Sequence, residues 1–562
     1  MSRAEMSDKP DAEKGPSLPR ETEAFRDARS HAQPRSWLGP LLALTTAALL
    51  VLIIGELLDG GNGLLSALRH PESSIGSNTL GNVGQVVSQV LGVAISVVAI
   101  IVELAANRYT HRLTELFFRA RSNFIVMGLF VISGMQALWV SFTYTSSYVP
   151  SASTALSMVL MSISVLALLP YFAYVSAFVK PLNVLNRIRS QTQRTIERGP
   201  RGKNPEQGEQ VQYLAADGVV QLSDIAMNSM VNQEKGIAMA AVNSLGDLML
   251  QYLDIKGSLM ESWFRVGHEV SGNPDFISLT DGARGELERN RSWFEFMVLR
   301  QYEGIFRSAL NTYREICYLL AINTRRLAEA ALERKDAATF EVAVKFFNTY
   351  LRATINSHDV RTAYNVLNQY RLLAEWALRR GDAKVAISIA NYFKYYGQLA
   401  FSADLGFILE TTAYDLCTLN ELAFDLKIPE RAELLDVFLQ VDKESEAVEK
   451  ESALRGVRKA QIKLAAYYLF HADVAAAREI YRDMAEEQAA RLISIREELL
   501  AVESPYFWEI TDRGTNFDWM PPEHKSRVIE FFSWFGNKLP EQAAKARAAG
   551  PTDQPVSHPS IP

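Results

Sequence analysis

The sequence predicts an all-α protein in which a four-helix transmembrane domain is followed by a cytoplasmic helical domain. Three observations support this fold class. Four long apolar segments, almost free of charge, lie within the first 180 residues. Beyond about residue 210, apolar residues recur at helical spacing and the alternation typical of half-buried strands is nearly absent. A helix–turn–helix pattern also repeats along this second part.

The four apolar segments are long enough to cross a membrane as helices. They run from Trp37 to Leu58, Val83 to Leu104, Phe124 to Tyr144 and Ala155 to Val179. Because an α-helix rises about 1.5 Å per residue, roughly 20 residues span a hydrocarbon core of about 30 Å. We therefore assign residues 37–180 to the transmembrane domain. Residues 1–36 and 541–562 are expected to be disordered tails, the first because its Ser-, Pro- and charge-rich composition cannot bury enough surface to fold.

Positive charges flank these segments on alternate sides. Before the first segment lie Arg20, Arg26, Arg29 and Arg35; between the second and third lie Arg108, Arg112, Arg119 and Arg121; after the fourth lie Lys180, Arg187, Arg189 and Arg194. The other two loops hold only Arg69 between them. Positively charged loops stay in the cytoplasm. The sequence therefore predicts a multi-pass protein with both termini and the large domain in the cytoplasm.

A polar stripe follows the second segment through its full depth. On a helical wheel one sector of about 100° holds Gln85, Ser88, Gln89, Gly92, Ser96, Glu103 and Asn107. In lipid such a stripe must face protein or water. One interpretation is helix packing, since Ser88, Gly92 and Ser96 are small residues four apart. The other is the lining of an ion pathway with Glu103 near its cytoplasmic mouth. Glu103 can also pair with Arg108 or Arg112.

A basic amphipathic stretch and a linker, residues 181–210, join the two domains. Apolar residues on one side of the stretch are Leu182, Leu185, Ile188 and Ile196, and its cations are Arg187, Arg189, Arg194 and Arg198. The linker has the sequence RGKNPEQGEQ. Such a helix can bind anionic lipid, each cation contributing roughly 1 kcal/mol near the surface. A plain stop-transfer flank explains the same residues.

An internal repeat lies at about 327–500, within the helical domain predicted for residues 211–540. Its copies are LAEAALERKDAATFEVA from Leu327, LAEWALRRGDAKVAISIA from Leu373 and LAAYYLFHADVAAAREIY from Leu464, with a degenerate copy from Leu422. The turn residues Asp336 and Asp382 are 46 positions apart, and Asp473 follows 91 positions later, near twice that spacing. The pattern resembles the helical hairpins of tetratricopeptide (TPR) and HEAT-like solenoids. An irregular helical bundle is the alternative.

Aromatic and charged residues alternate at 504–525. Four of the aromatic residues in this stretch predict a non-helical segment docked against the helices: Phe507, Trp508, Phe517 and Trp519. Glu509, Asp512 and Asp518 can bind a cation or a polar ligand, although loop carboxylates more often serve as caps or surface charges. The two cysteines, Cys317 and Cys417, are expected to be reduced core residues, because they lie in apolar helical patterns without CxxC spacing.

Two stretches resemble a known family. They are LGVAISVVAIIVELAANRYTHRLTELFFR from Leu91 and GVVQLSDIAMNSMVNQEKGIAMAAVNSLGDL from Gly218. They are similar to the bacterial predicted-membrane-protein family called domain of unknown function 2254, over roughly residues 37–250. The chain looks like a divergent member, because Met230 to Gly236 depart from the turn that follows the DIA element in the family. The resemblance implies the inner (cytoplasmic) membrane of a bacterium and no established activity.

The remaining features exclude some classes of function. A net charge of −6 argues against nucleic acid as a partner. No Ser-His-Asp set, HExxH or phosphate-binding loop occurs, so we predict a non-enzyme with no catalytic residues, cofactor or metal. Two functions are consistent with the rest. The first is a membrane-anchored interaction scaffold or sensor whose helical array binds an unknown protein partner. The second is a homo-oligomeric ion channel or transporter whose second span lines the pathway.

Overall fold

The computed structural model describes residues 46, 73–109, 113–118, 120–144, 150–198, 205–442, 451–507 and 512–536. Within these ranges every regular element is helical, in agreement with the predicted all-α class. The predicted first span, apart from Thr46, and both predicted tails lie outside them. The chain forms two compact units: Met1–Asn107 with His111–Lys180, and Arg108–Thr110 with Pro181–Pro562.

The first unit contains the apolar helices. They are α1 (Ser73–Arg108), the short α2 (Leu113–Phe118), α3 (Arg121–Thr143) and α4 (Ser151–Val179). Three stretches are long and apolar enough to cross a membrane: Gly81–Arg108, Ser122–Thr143 and Ser151–Val179. The described residues therefore contain three candidate spans, at the predicted second, third and fourth positions. The predicted first span, residues 37–58, lies outside the described ranges apart from Thr46.

A small core joins these three helices. It comprises Val87 of α1, Phe130, Ala137 and Val140 of α3, and Met161 of α4. The Ser164 hydroxyl of α4 donates to the Ser133 hydroxyl of α3 at 3.0 Å. Hydrogen bonds between small residues are a usual means of joining helices in lipid. Large apolar side chains elsewhere on these helices, such as Val93 and Phe124, are exposed, as expected of surfaces that face lipid.

The second unit begins with three packed helices, α5 (Pro181–Arg198), α6 (Pro205–Val231) and α7 (Lys235–Lys256). Helix α6 thus starts inside the predicted linker. The α5 side chains buried in this bundle are Val184, Leu185, Ile188, Thr192 and Ile196. Gly218 of α6 allows the close approach of α5, because a Cβ there would lie 1.9 Å from the Thr192 hydroxyl oxygen.

An aromatic cluster connects this bundle to the helices that follow. A 3-10 turn (Glu261–Phe264) and three short helices, α8 (His268–Ser271), α9 (Pro274–Ile277) and α10 (Asp281–Arg289), lead to α11 (Trp293–Ala309). Trp263 and Trp293 are fully buried, and the Trp293 indole N–H donates to the Trp263 carbonyl at 2.8 Å. Burial of aromatic side chains of this size stabilises the junction.

Five helices of equal length follow. They are α12 (Arg314–Glu333), α13 (Ala337–Asn356), α14 (Val360–Arg379), α15 (Ala383–Ser402) and α16 (Gly406–Asp425). Each has 20 residues, and they begin at residues 314, 337, 360, 383 and 406, which is one helix every 23 residues. Helices α12, α14 and α16 pack side by side, whereas α13 and α15 pack beside each other and against the first set. The result is two layers of helices.

The same turn closes all five of these helices and recurs after the helix that ends at Phe470. A residue just beyond each of these six helices has positive φ, between 54° and 79°: Lys335, His358, Gly381, Asp404, Lys427 and Ala472. The next amide then bonds back to the helix, as Asp336 N–H does to the Ala331 carbonyl at 2.8 Å. The predicted turn residues Asp336, Asp382 and Asp473 are N-caps whose side chains accept an amide hydrogen bond. Asp359, which sequence reasoning missed, plays the same role half a period later.

The remaining described helices extend the two layers. They are α17 (Arg431–Leu439), α18 (Glu451–Phe470), α19 (Val474–Asp483), α20 (Ala489–Ala501) and α21 (Pro522–Ser533). Helix α18 packs beside α16 and carries α21 and α20 on its other sides. Phe531 and Phe532 bury α21 in this part of the core. Cys317 and Cys417 are free and buried, as predicted.

Candidate functional site

A short non-helical segment lies across three helices of one layer. Residues 512–520, here called the docked segment, contact α14, α16 and α18. The surface beneath the segment, here called the groove, is lined by Tyr364, Arg371, Tyr414, Asp415 and Lys459. The docked segment has no helix or strand of its own. Side chains of the segment make its main contacts with the groove.

Arg513 is the central anchor of the docked segment. Its guanidinium donates to the two carboxylate oxygens of Asp415 at 2.5 and 3.2 Å, and to the Tyr364 carbonyl oxygen at 2.7 Å. The guanidinium carbon also lies 4.1 Å from the centre of the Tyr364 ring, a cation–π contact. The side chains of Arg513 and Asp415 are only 5% and 3% exposed. Paired charges buried this deeply are neutralised by each other rather than by water.

Asp415 also forms an ion pair with a second arginine, Arg371 of the groove. Arg371 Nε lies 3.3 Å from Asp415 Oδ1 and belongs to α14, and its guanidinium also pairs with Glu375 one turn later. Burial lowers the pKa of Arg371, while the charge of Asp415 opposes that shift. The carboxylate of Asp415 therefore lies between two guanidinium groups. Arg371 belongs to the helices beneath the docked segment, and Arg513 belongs to the docked segment itself.

The first residue of the docked segment is held by ion pairing at the rim. Asp512 accepts from Arg361 at 2.9 and 3.0 Å and from the Asn365 side-chain amide at 2.9 Å. These hydrogen bonds from Arg361 and Asn365 keep the pKa of Asp512 below its usual range. Arg361 is 43% exposed, so this contact is worth less than the buried pair beside it.

The far end of the docked segment combines an aromatic stack with a second ion pair. The Phe517 and Tyr414 rings are 4.8 Å apart and nearly parallel. Lys459 donates to the Asp518 carboxylate at 2.8 Å, and the Tyr414 hydroxyl also bonds to that carboxylate. Burial works against the charge of Lys459, but Asp518 and Glu498 outweigh it and raise the pKa of the amine. Lys463 completes this end by donating to the Phe517 carbonyl at 3.2 Å.

Glu410 lies next to this ion pair and forms no ion pair of its own within the described part of the chain. Burial, and then the charge of Asp518, raise the pKa of Glu410 to about 7, although Lys459 opposes the shift. Its side chain lies directly on Gly456 of α18, where a Cβ would approach the Glu410 Cγ and Cδ to 2.4 Å. A carboxyl group with such a pKa changes its charge near neutral pH.

Two polar atoms at this site are buried without a hydrogen-bond partner. They are Asn365 Oδ1 of the groove and Arg513 Nε of the docked segment. A buried polar atom that lacks a partner costs roughly 1–3 kcal/mol. The docked segment therefore does not use every hydrogen-bonding position that the groove offers.

Sequence reasoning identified only part of this site. Asp512 and Asp518, predicted as cation or ligand carboxylates, are paired with Arg361 and Lys459, and Phe517 docks as expected. Trp508 and Glu509 lie outside the described residues. The groove residues Tyr364, Asp415 and Lys459 were missed. An aspartate in the apolar helical pattern AYDLCTLNE was the one local signal for Asp415.

The predicted polar stripe lies on the surface of α1. Exposed residues of the stripe are Gln85, Ser88, Gln89, Gly92, Ser96, Glu103 and Asn107. The buried face of α1 is formed instead by Val87, Ala94, Val98 and Val102. The other described helices therefore do not cover the stripe, so neither the packing nor the pathway interpretation is decided by this arrangement.

Arg108, one of two predicted partners of Glu103, pairs instead with Glu234, and both residues belong to the second unit. Arg112, the other, lies outside the described residues. Around Arg108 the side-chain amides of Asn228 and Asn232 donate to the Tyr109 and Arg108 carbonyls at 2.9 and 3.4 Å. These are carbonyls that the end of a helix leaves without intrahelical partners.

The basic residues of α5 have different environments. Arg189 pairs with Asp247 of α7 at 3.0 Å, so this cation is used within the protein. Arg187 and Arg194 are exposed, as is Lys180 just before the helix. On the predicted apolar side of α5, Leu185, Ile188 and Ile196 are buried, whereas Leu182 is exposed.

Comparison with known families identifies the N-terminal part of the chain. Residues 33–252 match the family model of DUF2254, described as a predicted membrane protein. The predicted resemblance is thereby confirmed, and with three candidate spans the chain is a membrane protein. The DUF2254 match covers about two fifths of the 562 residues and ends within α7. The groove and the docked segment lie outside it. Comparison with curated proteins and with solved structures gives no match.

Proposed function

We propose that this DUF2254-like protein is a membrane-anchored interaction scaffold or sensor, whose cytoplasmic helices bind a short non-helical segment of a partner protein. The observation that carries the proposal is the docked segment. Nine residues without regular structure are held on three helices through Arg513, Phe517 and Asp518. A surface that accepts one such segment by side-chain anchors has the properties of a peptide-binding surface.

The helical spacing supports a repeat array as the binding platform. A helix every 23 residues corresponds to one hairpin every 46 residues, the spacing of the turn aspartates Asp336 and Asp382. In TPR- and HEAT-like arrays each hairpin covers the apolar face of the next, and the stacked helices expose a long continuous surface. We favour this interpretation over an irregular bundle because the turn geometry recurs with the same period.

Binding, rather than catalysis, is the function we propose for the groove. Its charged groups are engaged with one another, as Arg513 with Asp415 and Lys459 with Asp518, and are not directed into an open cavity. Within the described ranges no group of His, Cys, Asp or Glu side chains is placed to hold a metal ion.

Photocrosslinking in living cells tests the scaffold function. A crosslinking amino acid at Arg361, on the rim of the groove, is compared with one at Lys384, an equally accessible cation on α15. We expect a protein captured reproducibly from Arg361 but not from Lys384. Capture of the same abundant proteins from both positions would argue against a specific partner.

The membrane location follows the charge pattern. We propose the inner (cytoplasmic) membrane, with both termini in the cytoplasm, because arginines and lysines cluster in the loops that this orientation places inside. The exposed cations Arg187 and Arg194 follow the last span within 15 residues and are suited to anionic lipid headgroups.

A homo-oligomeric channel or transporter is the second candidate. The observation that favours it is the exposure of all seven stripe residues on α1, since polar groups in lipid need cover from protein or water. Purified protein in liposomes should then conduct ions, and Glu103→Gln should alter that flux. Flux equal to that of empty liposomes across voltage and pH would exclude this candidate.

A further inference from the structure

We propose that the docked segment is an intramolecular substitute for the partner, which is a short non-helical peptide with an arginine followed four and five positions later by an aromatic and an acidic residue. This spacing is that of Arg513, Phe517 and Asp518. The inference rests on the proposed scaffold function and specifies its binding site. In the state described by the structure, the groove is closed by the protein's own chain.

The docked segment can leave the groove without disturbing the helices on either side. Lys525 of α21 donates to the Leu500 and Val502 carbonyls at 3.1 and 2.6 Å, which holds the end of α20 against the start of α21. Phe531 and Phe532 keep α21 buried on the core. The base of the loop is thus fixed. The docked segment is held by the groove contacts, by the bond from the Asn516 amide to the Pro505 carbonyl at 2.9 Å and, at its end, by the buried Met520. Local release of such a loop costs less free energy than unfolding the domain.

Once the docked segment has left, the groove presents a matched set of binding groups. Asp415 accepts a guanidinium, with the Tyr364 ring beneath it. The Tyr414 ring offers a stacking surface, and the Lys459 amine can donate to a carboxylate. Arginine, aromatic and acidic side chains at the spacing of the docked segment satisfy all of these groups. The groove therefore favours a peptide over a small ligand.

The unpaired Asn365 Oδ1 is a hydrogen-bond acceptor through which a partner peptide can bind the groove more tightly than the docked segment does. An occupant tethered to the groove acts at an effective concentration in roughly the millimolar range, so a free peptide must bind more tightly to displace it. The docked segment leaves this buried acceptor without a donor. A partner peptide that supplies a donor there gains a hydrogen bond that the docked segment lacks.

The occupant is a partner protein and not a second copy of this chain. Exchange of the docked segment between two copies would require α21, which follows it directly, to leave its own array. Helix α21 is fixed there by buried Phe531 and Phe532 and by Lys525. A loop held at both ends on one array is poorly suited to domain swapping, which usually exchanges a terminal element.

The test uses the full-length protein in detergent and a fluorescent peptide with the sequence of residues 512–520, DRGTNFDWM. The triple variant Arg513→Ala, Phe517→Ala, Asp518→Ala removes the anchors of the docked segment and leaves the groove intact. We expect the peptide to bind this variant by fluorescence polarisation, and to bind the wild type more weakly by roughly tenfold or more. A peptide with alanine for its arginine, or a groove with Asp415→Asn added, should lose the binding.

Three results would overturn the proposal. Absence of peptide binding to the triple variant, with helix content and a cooperative unfolding transition preserved, would make the docked segment a permanent part of the fold. Equal binding to wild type and variant would mean that the groove is not blocked. Dimers that exchange the segment, detected by light scattering and intermolecular crosslinking, would assign it to a second copy. Partner capture elsewhere on the array would leave the scaffold function standing in each case.

Discussion

Arg513 and Asp415, which are 98 residues apart in the chain, form a two-bonded salt bridge that is almost completely buried. The pair joins the docked segment to the middle helix of the groove. Removal of one member of such a pair leaves the other buried without its counter-charge, at a cost of roughly 3–5 kcal/mol. The loss of stability is smaller when the remaining residue keeps a second partner of opposite charge.

The two members of this pair should respond differently to substitution. Asp415→Asn leaves the buried Arg513 without its counter-charge and leaves Arg371 with Glu375 alone, so we expect it to lower the free energy of unfolding by about 3 kcal/mol or more. Arg513→Ala leaves Asp415 paired with Arg371 at 3.3 Å and should cost less. Thermal unfolding of the purified protein measures both. Arg284→Ala, which removes a pair with the fully exposed Asp281, is the control and should change little. An equal loss for both groove variants would contradict this ranking.

The left-handed turn positions offer a test of the hairpin geometry. Gly381 has φ of 79°, and Ala472 occupies the equivalent turn with φ of 62°. Because a side chain in this conformation costs roughly 1–2 kcal/mol, Gly381→Ala should destabilise and Ala472→Gly should stabilise the protein. Gly304→Ala, inside α11 with open space around it, should instead stabilise by about 0.5–1 kcal/mol. Loss of stability in Ala472→Gly, measured by unfolding, would disprove the assigned turn.

The N-cap aspartates should not be equivalent. Asp382 caps α15 through one bond to the Val385 amide, so Asp382→Ala should cost about 1 kcal/mol. Asp359 is buried, caps α14 and also accepts from the Asn311 amide at 3.0 Å. Asp359→Ala should therefore cost more than Asp382→Ala in urea unfolding. The reverse order would mean that the additional Asn311 contact contributes nothing.

Glu410 should make stability depend on pH near neutrality. Its pKa in the folded protein is about 7, above the ordinary value of 4.5, so the folded state holds this proton more tightly than the unfolded chain does. The stabilising effect is fully present below pH 4.5 and is lost as the pH rises through 7, amounting to about 3 kcal/mol. Glu410→Gln imitates the neutral acid and should remove that part of the dependence. Parallel unfolding curves at pH 5 and pH 8 for both proteins decide the matter, and identical pH dependence would refute the assignment.

Lipid binding through α5 should depend on its exposed cations. Replacing Arg194 by glutamine should weaken association with anionic lipid by roughly 1 kcal/mol. Native mass spectrometry of protein released from mixed-lipid nanodiscs measures the anionic lipid retained. Arg189→Gln is the control, since Arg189 is bonded to Asp247 and should affect stability more than lipid retention. Greater lipid loss in the control would show that the exposed face is not the contact.

Features that depend on neighbouring residues in the chain could be predicted. The apolar segments, the helical class and the turn residues Asp336, Asp382 and Asp473 were predicted because hydropathy, periodicity and N-capping act over a few turns of one helix. The same is true of the two buried cysteines. Asp359 was missed because the repeat was recognised at 46 residues and not at its half-period of 23.

By itself, the sequence determined where the apolar helices lie, which residues end the hairpins and which faces of the helices carry polar groups, since each of these is a local property of the chain. Only the tertiary structure decided which polar groups meet. In the sequence, Asp415 is an isolated carboxylate within an apolar helical pattern, and Arg513 is one cation of a loop. Their pairing follows from the packing of α14, α16 and α18, which brings residues 98 positions apart into a site with little water. Burial there turns two ordinary charges into a strong and specific contact.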